Sequence, residues 1–187
     1  MRQGHHTGTF GSQLAARLRA SADHADWIVF YDHGDTTVDS SVAATKGFFG
    51  DRVANLNRLA DIDVLIASPD RVARILIEIE ERACSPKKML GDVLAALLCN
   101  RFAVRVQGRQ EVFEVASSTK LIVAGVVPNR GHRLRKISEV ITPRLHQLSG
   151  LSDGISPRNV EFVFTDSIEA TITKLERMAL EDFGSAA

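Results

Sequence analysis

The stretch RLADIDVLIASPDRVARILIEIEE, residues 58–81, constrains the fold more than any other part of this sequence. It contains two apolar runs typical of strands, separated by a short turn around Asp70. Apolar strands are normally buried, yet these two carry five further carboxylates: Asp61, Asp63, Glu78, Glu80 and Glu81. Because a buried carboxylate is costly unless something pairs with it, the acids of this hairpin require an explanation.

Side chains alternate between the two faces of a strand, so the residues of the hairpin can be sorted by face. In the second strand Leu76, Glu78 and Glu80 share one face, and in the first strand Asp63 and Leu65 do. A turn midway between the strands places Leu65 opposite Leu76, and Asp63 opposite Glu78 or within one step of it. The register therefore predicts that Asp63, Glu78 and Glu80 cluster on one patch.

Clustered carboxylates repel one another, and the repulsion grows as the site loses water. A bound cation would relieve it, since hard ions such as Mg²⁺ favour carboxylate oxygens, with water and phosphate completing the ligand set. The alternative is that this face is exposed to solvent, where the acids need no partner. Both interpretations remain open from spacing alone.

A helix is predicted over residues 86–99, with Ser85 as its N-cap. At about 100° per residue, Lys87 falls on the same side as the leucines of this helix. Lys88 falls on the opposite side, where it can form a surface pair with Asp92. We therefore expect Lys87 to lean toward the sheet near Glu80, the alternative being a lysine whose ammonium reaches water.

Elsewhere helical and strand patterns alternate, which predicts an α/β protein with a mixed central sheet flanked by helices. Residues 1–11 are expected to form a loose tail before a helix that begins at Ser12, and residues 34–57 an irregular region. Further strands are expected at WIVFYDH, RFAVRVQ, TKLIVAGVV and VEFVFTD. Residues 128–187 are predicted to form a C-terminal helix–strand–helix extension, with a helix broken at Pro143 and a last helix capped by Asp166.

The composition narrows the class of protein. The chain has 187 residues, which favours one domain, and its net charge is zero, so it carries no global signal for nucleic acid. Its apolar runs are too short for a membrane span, and its first residues do not resemble a signal peptide. Cys84 and Cys99 fit neither a disulfide framework nor a zinc motif. These features predict a cytoplasmic protein without a membrane partner.

The clearest basic patch in this neutral chain lies within residues 130–146. Its candidates for contact with phosphates are Arg130, Arg133, Arg135 and Lys136. The alternative is a solvated helix face, because short basic clusters are common.

Asp63, followed by fourteen residues and then Glu78-Ile79-Glu80, resembles the metal-binding core of the PD-(D/E)XK nucleases, the restriction-endonuclease-like superfamily. In that family an Asp closes one strand, a D/E-x-K tripeptide lies on the next, and a helix follows. The resemblance covers roughly residues 12–127 and includes the order helix, three strands, helix, strand. It implies a restriction-endonuclease-like core in a single nuclease-like domain over residues 1–187.

By this resemblance the chain is expected to hydrolyse phosphodiesters of nucleic acid, with DNA favoured over RNA. Asp63, Glu78 and Glu80 would hold Mg²⁺ or Mn²⁺, which polarises a phosphoryl oxygen and activates a water molecule. Lys87 would orient that water or stabilise developing negative charge. A homodimer is one implied arrangement, because related enzymes are often dimers.

Two departures from the family pattern leave other functions open. The third motif residue is Glu80 rather than Lys, and the first predicted helix has no obvious Glu. Glu at the motif position is a known variant, and Lys87 could replace the missing lysine. The same departures suit a nuclease-fold module that has lost catalysis and serves binding or structure. A further alternative is an unrelated soluble α/β domain whose acidic face meets solvent or a protein partner.

Overall fold

The computed structural model describes residues 5–20, 26–80, 85–126, 135–148 and 154–184. The helices are α1 (His5–Ala20), α2 (Pro86–Leu97), α3 (Thr142–Leu145) and α4 (Ile168–Gly184). The strands are β1 (Ile28–Tyr31), β2 (Thr45–Phe48), β3 (Arg58–Ile62), β4 (Val64–Ala67), β5 (Val72–Glu80), β6 (Arg101–Val106), β7 (Arg109–Val126) and β8 (Val160–Thr165). A π-helical turn, Lys136–Ile141, precedes α3, and 3₁₀ turns span Asn55–Asn57 and Pro157–Asn159.

The strands form one mixed sheet in the order β1–β4–β5–β7–β6–β2–β3, with β8 also paired to β7. Within the described residues β5–β7 and β7–β8 are parallel, and the other five pairs are antiparallel. The predicted mixed sheet with flanking helices is confirmed, and the sheet is mostly antiparallel. None of the described helices combines the length and apolar character that crossing a membrane requires.

Strand β7 is the central element of the sheet and is longer than the predicted run TKLIVAGVV. It has 18 residues. Its first part pairs with β6 through a tight turn at Gln107 and Gly108, whose φ angles of 48° and 79° are typical of a two-residue hairpin. Its second part pairs with β8, while β5 runs along its other edge. Helix α2 therefore lies in the crossover between two parallel strands, β5 and β7.

The sheet curls back on itself at Asp63. The sequence predicts a single strand before the turn at Asp70, but β3 and β4 are separate strands joined by Asp63 alone. Along the hydrogen-bonded order the same two strands are separated by β5, β7, β6 and β2. A cavity of about 240 Å³ lies where β3 diverges from β5, and α2 contributes to its wall.

Each face of the sheet has its own apolar cluster. Leu65 and Leu76 belong to the cluster on the α2 side. Val64 and Ile77 belong to the other cluster, together with residues of α1 and α4. The alternation predicted for the hairpin is therefore confirmed over these residues.

The predicted N-terminal tail is wrong from His5 onward, because α1 begins there. Phe10 is buried in the cluster beside β1. Two glycines that suggested a flexible tail allow close helix packing instead. A Cβ on Gly11 would lie 2.2 Å from Cγ of Tyr31, and one on Gly8 would lie 2.5 Å from the carbonyl oxygen of His33. Only glycine permits α1 to approach β1 this closely.

The region predicted to be irregular contains β2, which pairs with both β3 and β6. Its four residues, TKGF, lack the apolar alternation that marks a strand. Gly47 replaces a side chain at a crowded point, where a Cβ would lie 2.6 Å from Sγ of Cys99. Contact with the neighbouring strands, rather than local propensity, determines this element.

Two expectations for the C-terminal region are also wrong. Pro143 does not break the helix. It lies in the first turn of α3, and the π-helical turn before it has hydrogen bonds that span five residues instead of four. The backbone N–H of Thr142 donates to the carbonyl of Ile137, five residues earlier. The first turn of α4 is capped by Ser167 rather than Asp166, since Ser167 Oγ accepts from the N–H of Ala170 at 3.1 Å.

Candidate functional site at the end of the acidic hairpin

The register of β4 and β5 places Asp63 beside Glu78. Leu65 lies opposite Leu76 and Val64 opposite Ile77, so the next pair outward is Asp63 and Glu78. Both acids follow the alternation of Leu65 and Leu76, which puts them on the face that α2 covers. The predicted register is confirmed, and the two carboxylates meet at the end of the hairpin.

Asp63 also stabilises the point where the sheet curls. Its Oδ2 accepts a hydrogen bond of 2.7 Å from the backbone N–H of Ile79. Because β3 diverges from β5 here, the carboxylate takes the place of the strand partner that this N–H would otherwise have. This contact gives Asp63 a structural role that needs no metal ion or substrate.

Glu78 lines the 240 Å³ cavity between the sheet and α2. Apolar side chains such as Ile62 and Val93 form much of that cavity, and Asp92 also lines it. Burial raises the pKa of Glu78 to about 9, and the negative charges of Asp63 and Asp92 contribute to the increase. Glu78 therefore holds a proton at neutral pH unless a cation takes the proton's place.

Glu80 is paired with a lysine of α2, but that lysine is Lys88 rather than Lys87. Lys88 Nζ lies 2.5 Å from Glu80 Oε2 and 3.2 Å from Asp92 Oδ2. Partial burial alone would lower the pKa of Lys88, but its hydrogen bonds to Glu80 and Asp92 raise it. The predicted pair of Lys88 and Asp92 is confirmed. The predicted position of Lys87 near Glu80 is wrong, since it is Lys88 that contacts Glu80.

The predicted apolar face of α2 contained Leu90, Val93, Leu94, Leu97 and Leu98, and it is confirmed at Val93 and Leu97 but not at Leu94 and Leu98, so the helix is rotated slightly from the prediction. The side chains that α2 buries are Met89, Val93, Ala96 and Leu97. Leu94 and Leu98, which the prediction placed inside, are 38% and 47% exposed. This rotation brings Lys88, one residue before Met89, to the end of β5.

The acids do not form the three-carboxylate metal group that the sequence predicts. Within the described residues no three side chains of His, Cys, Asp or Glu are arranged to hold one ion. Glu80 forms an ion pair with Lys88, and Oδ2 of Asp63 accepts a hydrogen bond from the N–H of Ile79. The pair of Asp63 and Glu78 still fits a smaller set, because Mg²⁺ often takes one or two carboxylates, with water and phosphate completing its shell.

Sequence reasoning missed a third acid in the same row. The N–H of Asp32 donates to the carbonyl of Asp63 at 2.9 Å, so Asp32 extends the pairing of Tyr31 with Val64 by one residue. Asp32, Asp63 and Glu78 thus lie side by side across three strands. Asp32 Oδ1 accepts from the N–H of His33 at 2.7 Å. The alternation from Phe30 to Asp32 was the signal that could have revealed it.

The predicted basic segment is only partly described. Arg130 and Arg133 lie outside the described residues. Arg135 and Lys136 are exposed, and Arg135 Nε lies 3.1 Å from Glu139 Oε1. Its charge is therefore partly offset, and the phosphate contact of this segment stays a prediction.

Fold and site together define a mixed α/β protein with a row of acids at one end of its central strands. No protein-family model matches the chain, and comparison with curated proteins and with solved structures gave no match.

Proposed function

We propose that this protein hydrolyses phosphodiester bonds of nucleic acid, with DNA favoured, in a reaction that depends on Mg²⁺ or Mn²⁺. The observation that carries the proposal is the position of Asp63 opposite Glu78, with the ion pair of Lys88 and Glu80 at the end of the same strand. The adjacent strands β1, β4, β5 and β7, with α2 in the crossover from β5 to β7, also support a restriction-endonuclease-like core. The predicted chain order of helix, three strands, helix and strand is interrupted, because β2 and β3 lie between β1 and β4, and β6 precedes β7.

Asp63 and Glu78 would hold the ion, which supplies polarisation of a phosphoryl oxygen and activation of a water molecule when bound. Glu78 has to release its proton first, since its pKa is raised to about 9. Lys88, with 57% of its side chain exposed, stabilises negative charge that develops on the phosphate. Glu80 positions Lys88 through their hydrogen bond.

A second candidate is a nuclease-fold module that binds nucleic acid without cleaving it. Two observations favour it: the pairing of Glu80 with Lys88, and the lack of a three-acid metal group in the described part of the chain. The hydrogen bond from the N–H of Ile79 to Asp63 favours a third candidate, an unrelated interaction domain. It gives Asp63 a structural role at the end of the hairpin that requires no metal ion.

The test is a cleavage assay with single- and double-stranded DNA and RNA in the presence of Mg²⁺ or Mn²⁺. Asp63→Asn is the informative variant, since Asn keeps an oxygen for the N–H of Ile79 but loses the charge. Asp70→Asn is the matched control, because Asp70 is exposed in the turn between β4 and β5, where it pairs with Arg74. Cleavage lost only in Asp63→Asn supports hydrolysis. Binding without cleavage in the unaltered protein supports the inactive module, and neither binding nor cleavage supports the interaction domain.

A further inference from the structure

A second cavity, of about 320 Å³, lies on the outer face of β2 and β6, away from α2. Residues 53–55 form one wall, and Phe48 and Ala103 lie at its base. Phe48 is 4% exposed and Ala103 5%, yet neither belongs to the two clusters on the faces of the central strands. The cavity, which we call the β2–β6 cleft, is therefore part of a separate packed region.

Two cations, Lys46 and Arg105, are the charged residues that line the β2–β6 cleft. Lys46 lies directly opposite Ala103 in the register, and Arg105 is two residues further along β6 on the same face. Such diagonal neighbours are about 7–8 Å apart in a sheet, within the combined reach of two long side chains. One anionic group can therefore contact both.

Within the described residues, neither Lys46 nor Arg105 has an ion-pair partner, whereas neighbouring arginines do. Arg101 pairs with Glu114 at 3.7 Å. Asp61 lies opposite Lys46 in the ladder, but its Oδ1 accepts from Arg58 Nε at 3.0 Å. The cleft therefore has two positive charges that no acidic side chain of its lining offsets.

We propose that the β2–β6 cleft binds a phosphate group of a single-stranded nucleic acid. A guanidinium presents a planar set of N–H donors that matches phosphate, and an ammonium adds a compact charge. Gln110, which lies opposite Arg105 on β7, adds an amide to the lining. The inference rests on this cleft alone and does not require the proposed hydrolysis.

A strand is favoured over a free phosphate because an exposed aromatic ring lies beyond one end of the cleft. Phe49 directly follows β2, at the end of the cleft away from Arg105, and is 57% exposed. Two hydrogen bonds to Asn57 hold the loop that carries Phe49. The N–H of Phe49 donates to the carbonyl of Asn57 at 3.0 Å, and Asn57 Nδ2 donates to the carbonyl of Phe49 at 2.8 Å. A held aromatic ring at one end of a positively charged cleft is typical of surfaces on which bases stack.

The test is fluorescence anisotropy of a labelled single-stranded oligonucleotide with the full chain, in EDTA so that metal-dependent cleavage has no part. Lys46→Gln and Arg105→Gln should each weaken binding and reduce the slope of log K against log salt by about 0.7, the value for one phosphate contact on a single strand. The double variant should bind at least about tenfold more weakly, and Lys46→Arg should retain binding. Arg177→Gln, an exposed arginine of α4 paired with Glu181, is the control for loss of one charge.

Equal affinity in the double variant and the Arg177→Gln control would overturn the proposal, with folding of each variant checked by circular dichroism. If the oligonucleotide does not bind but pyrophosphate raises the Tm of the unaltered protein and not of the double variant, the phosphate chemistry stands and the strand as its source is overturned. Absence of both effects overturns the whole inference. Since no metal is present, none of these outcomes depends on whether the protein cleaves nucleic acid.

Discussion

The Oδ2 atom of Asp63 accepts a hydrogen bond of 2.7 Å from the backbone N–H of Ile79, sixteen residues away. The same residue joins β3 to β4 and lies opposite Glu78. The Asp63 carboxylate thus accepts a backbone hydrogen bond in the curled sheet and is also half of the candidate metal-binding pair. Substitutions at Asp63 can separate these two roles.

Asp63→Ala should lower the free energy of unfolding by about 1–3 kcal/mol, because it leaves the N–H of Ile79 without its acceptor. Asp63→Asn should cost less, since the amide oxygen can still accept. Urea unfolding of both variants measures the difference. Equal losses would show that the hydrogen bond contributes little to stability.

Mg²⁺ or Mn²⁺ should raise the Tm of the unaltered protein as its concentration passes the dissociation constant, since an ion that binds only the folded state stabilises it. Asp63→Asn should abolish this increase, and Asp70→Asn should not, because Asp70 is exposed and paired with Arg74. The increase should grow with pH, because the ion competes with the proton on Glu78, whose pKa is about 9. A Tm that stays flat across millimolar metal would argue against any metal site at this hairpin.

Glu78→Gln should change how stability depends on pH. The folded-state pKa of Glu78 is raised from 4.5 to about 9, so the folded state keeps the neutral form while the unfolded state ionises. Stability is therefore lost as the pH rises from about 4.5 toward 9. The variant stays neutral and should gain stability relative to the unaltered protein over that window. A pKa difference of one corresponds to about 1.4 kcal/mol, and we expect the gap to exceed that value.

Urea unfolding at several pH values between about 5 and 9 measures this gap. Glu181→Gln is the control, because that carboxylate is exposed beside Arg177. Parallel stability curves for Glu78→Gln and the unaltered protein would show that Glu78 is not held neutral by its surroundings.

Lys88→Ala should reduce single-turnover cleavage on the order of a hundredfold, as expected for loss of one group that stabilises the transition state. Lys87→Ala should leave the rate nearly unchanged, because Lys87 is exposed while Lys88 contacts Glu80. The neighbouring lysines make a matched pair of equal charge. Equal rates for the two variants would remove Lys88 from the proposed reaction.

The register of the acidic hairpin could be predicted because it depends on two strong local rules. Alternation with period two and the length of the turn place Leu65 opposite Leu76, and Asp63 then follows. The break at Asp63 could not be predicted, because the residues on both sides of it are apolar and strand-like. It arises from pairing of β3 with β2, an element without an apolar pattern.

The choice between Lys87 and Lys88 shows a second limit. A helical wheel assumes that the largest apolar side chains face inward, which predicted Leu94 and Leu98 as the buried side. The curled sheet receives Val93 and Leu97 of the predicted face, but Met89 and Ala96 are buried with them in place of Leu94 and Leu98. The helix is rotated by about one residue from the prediction, so Lys88 rather than Lys87 contacts Glu80. The amino-acid composition of the helix does not reveal this rotation.

The 18-residue strand β7 also has a consequence for the order of folding. Its first part pairs with β6 across a two-residue turn, a local contact of the kind that forms within about 1–10 μs. Its second part pairs with β5 and β8, which are distant in sequence, so those contacts carry the entropy cost of closing long loops. We therefore expect the β6–β7 hairpin to form early and to template the parallel strands, whereas Glu80 and Lys88, eight residues apart, can meet without closing a long loop.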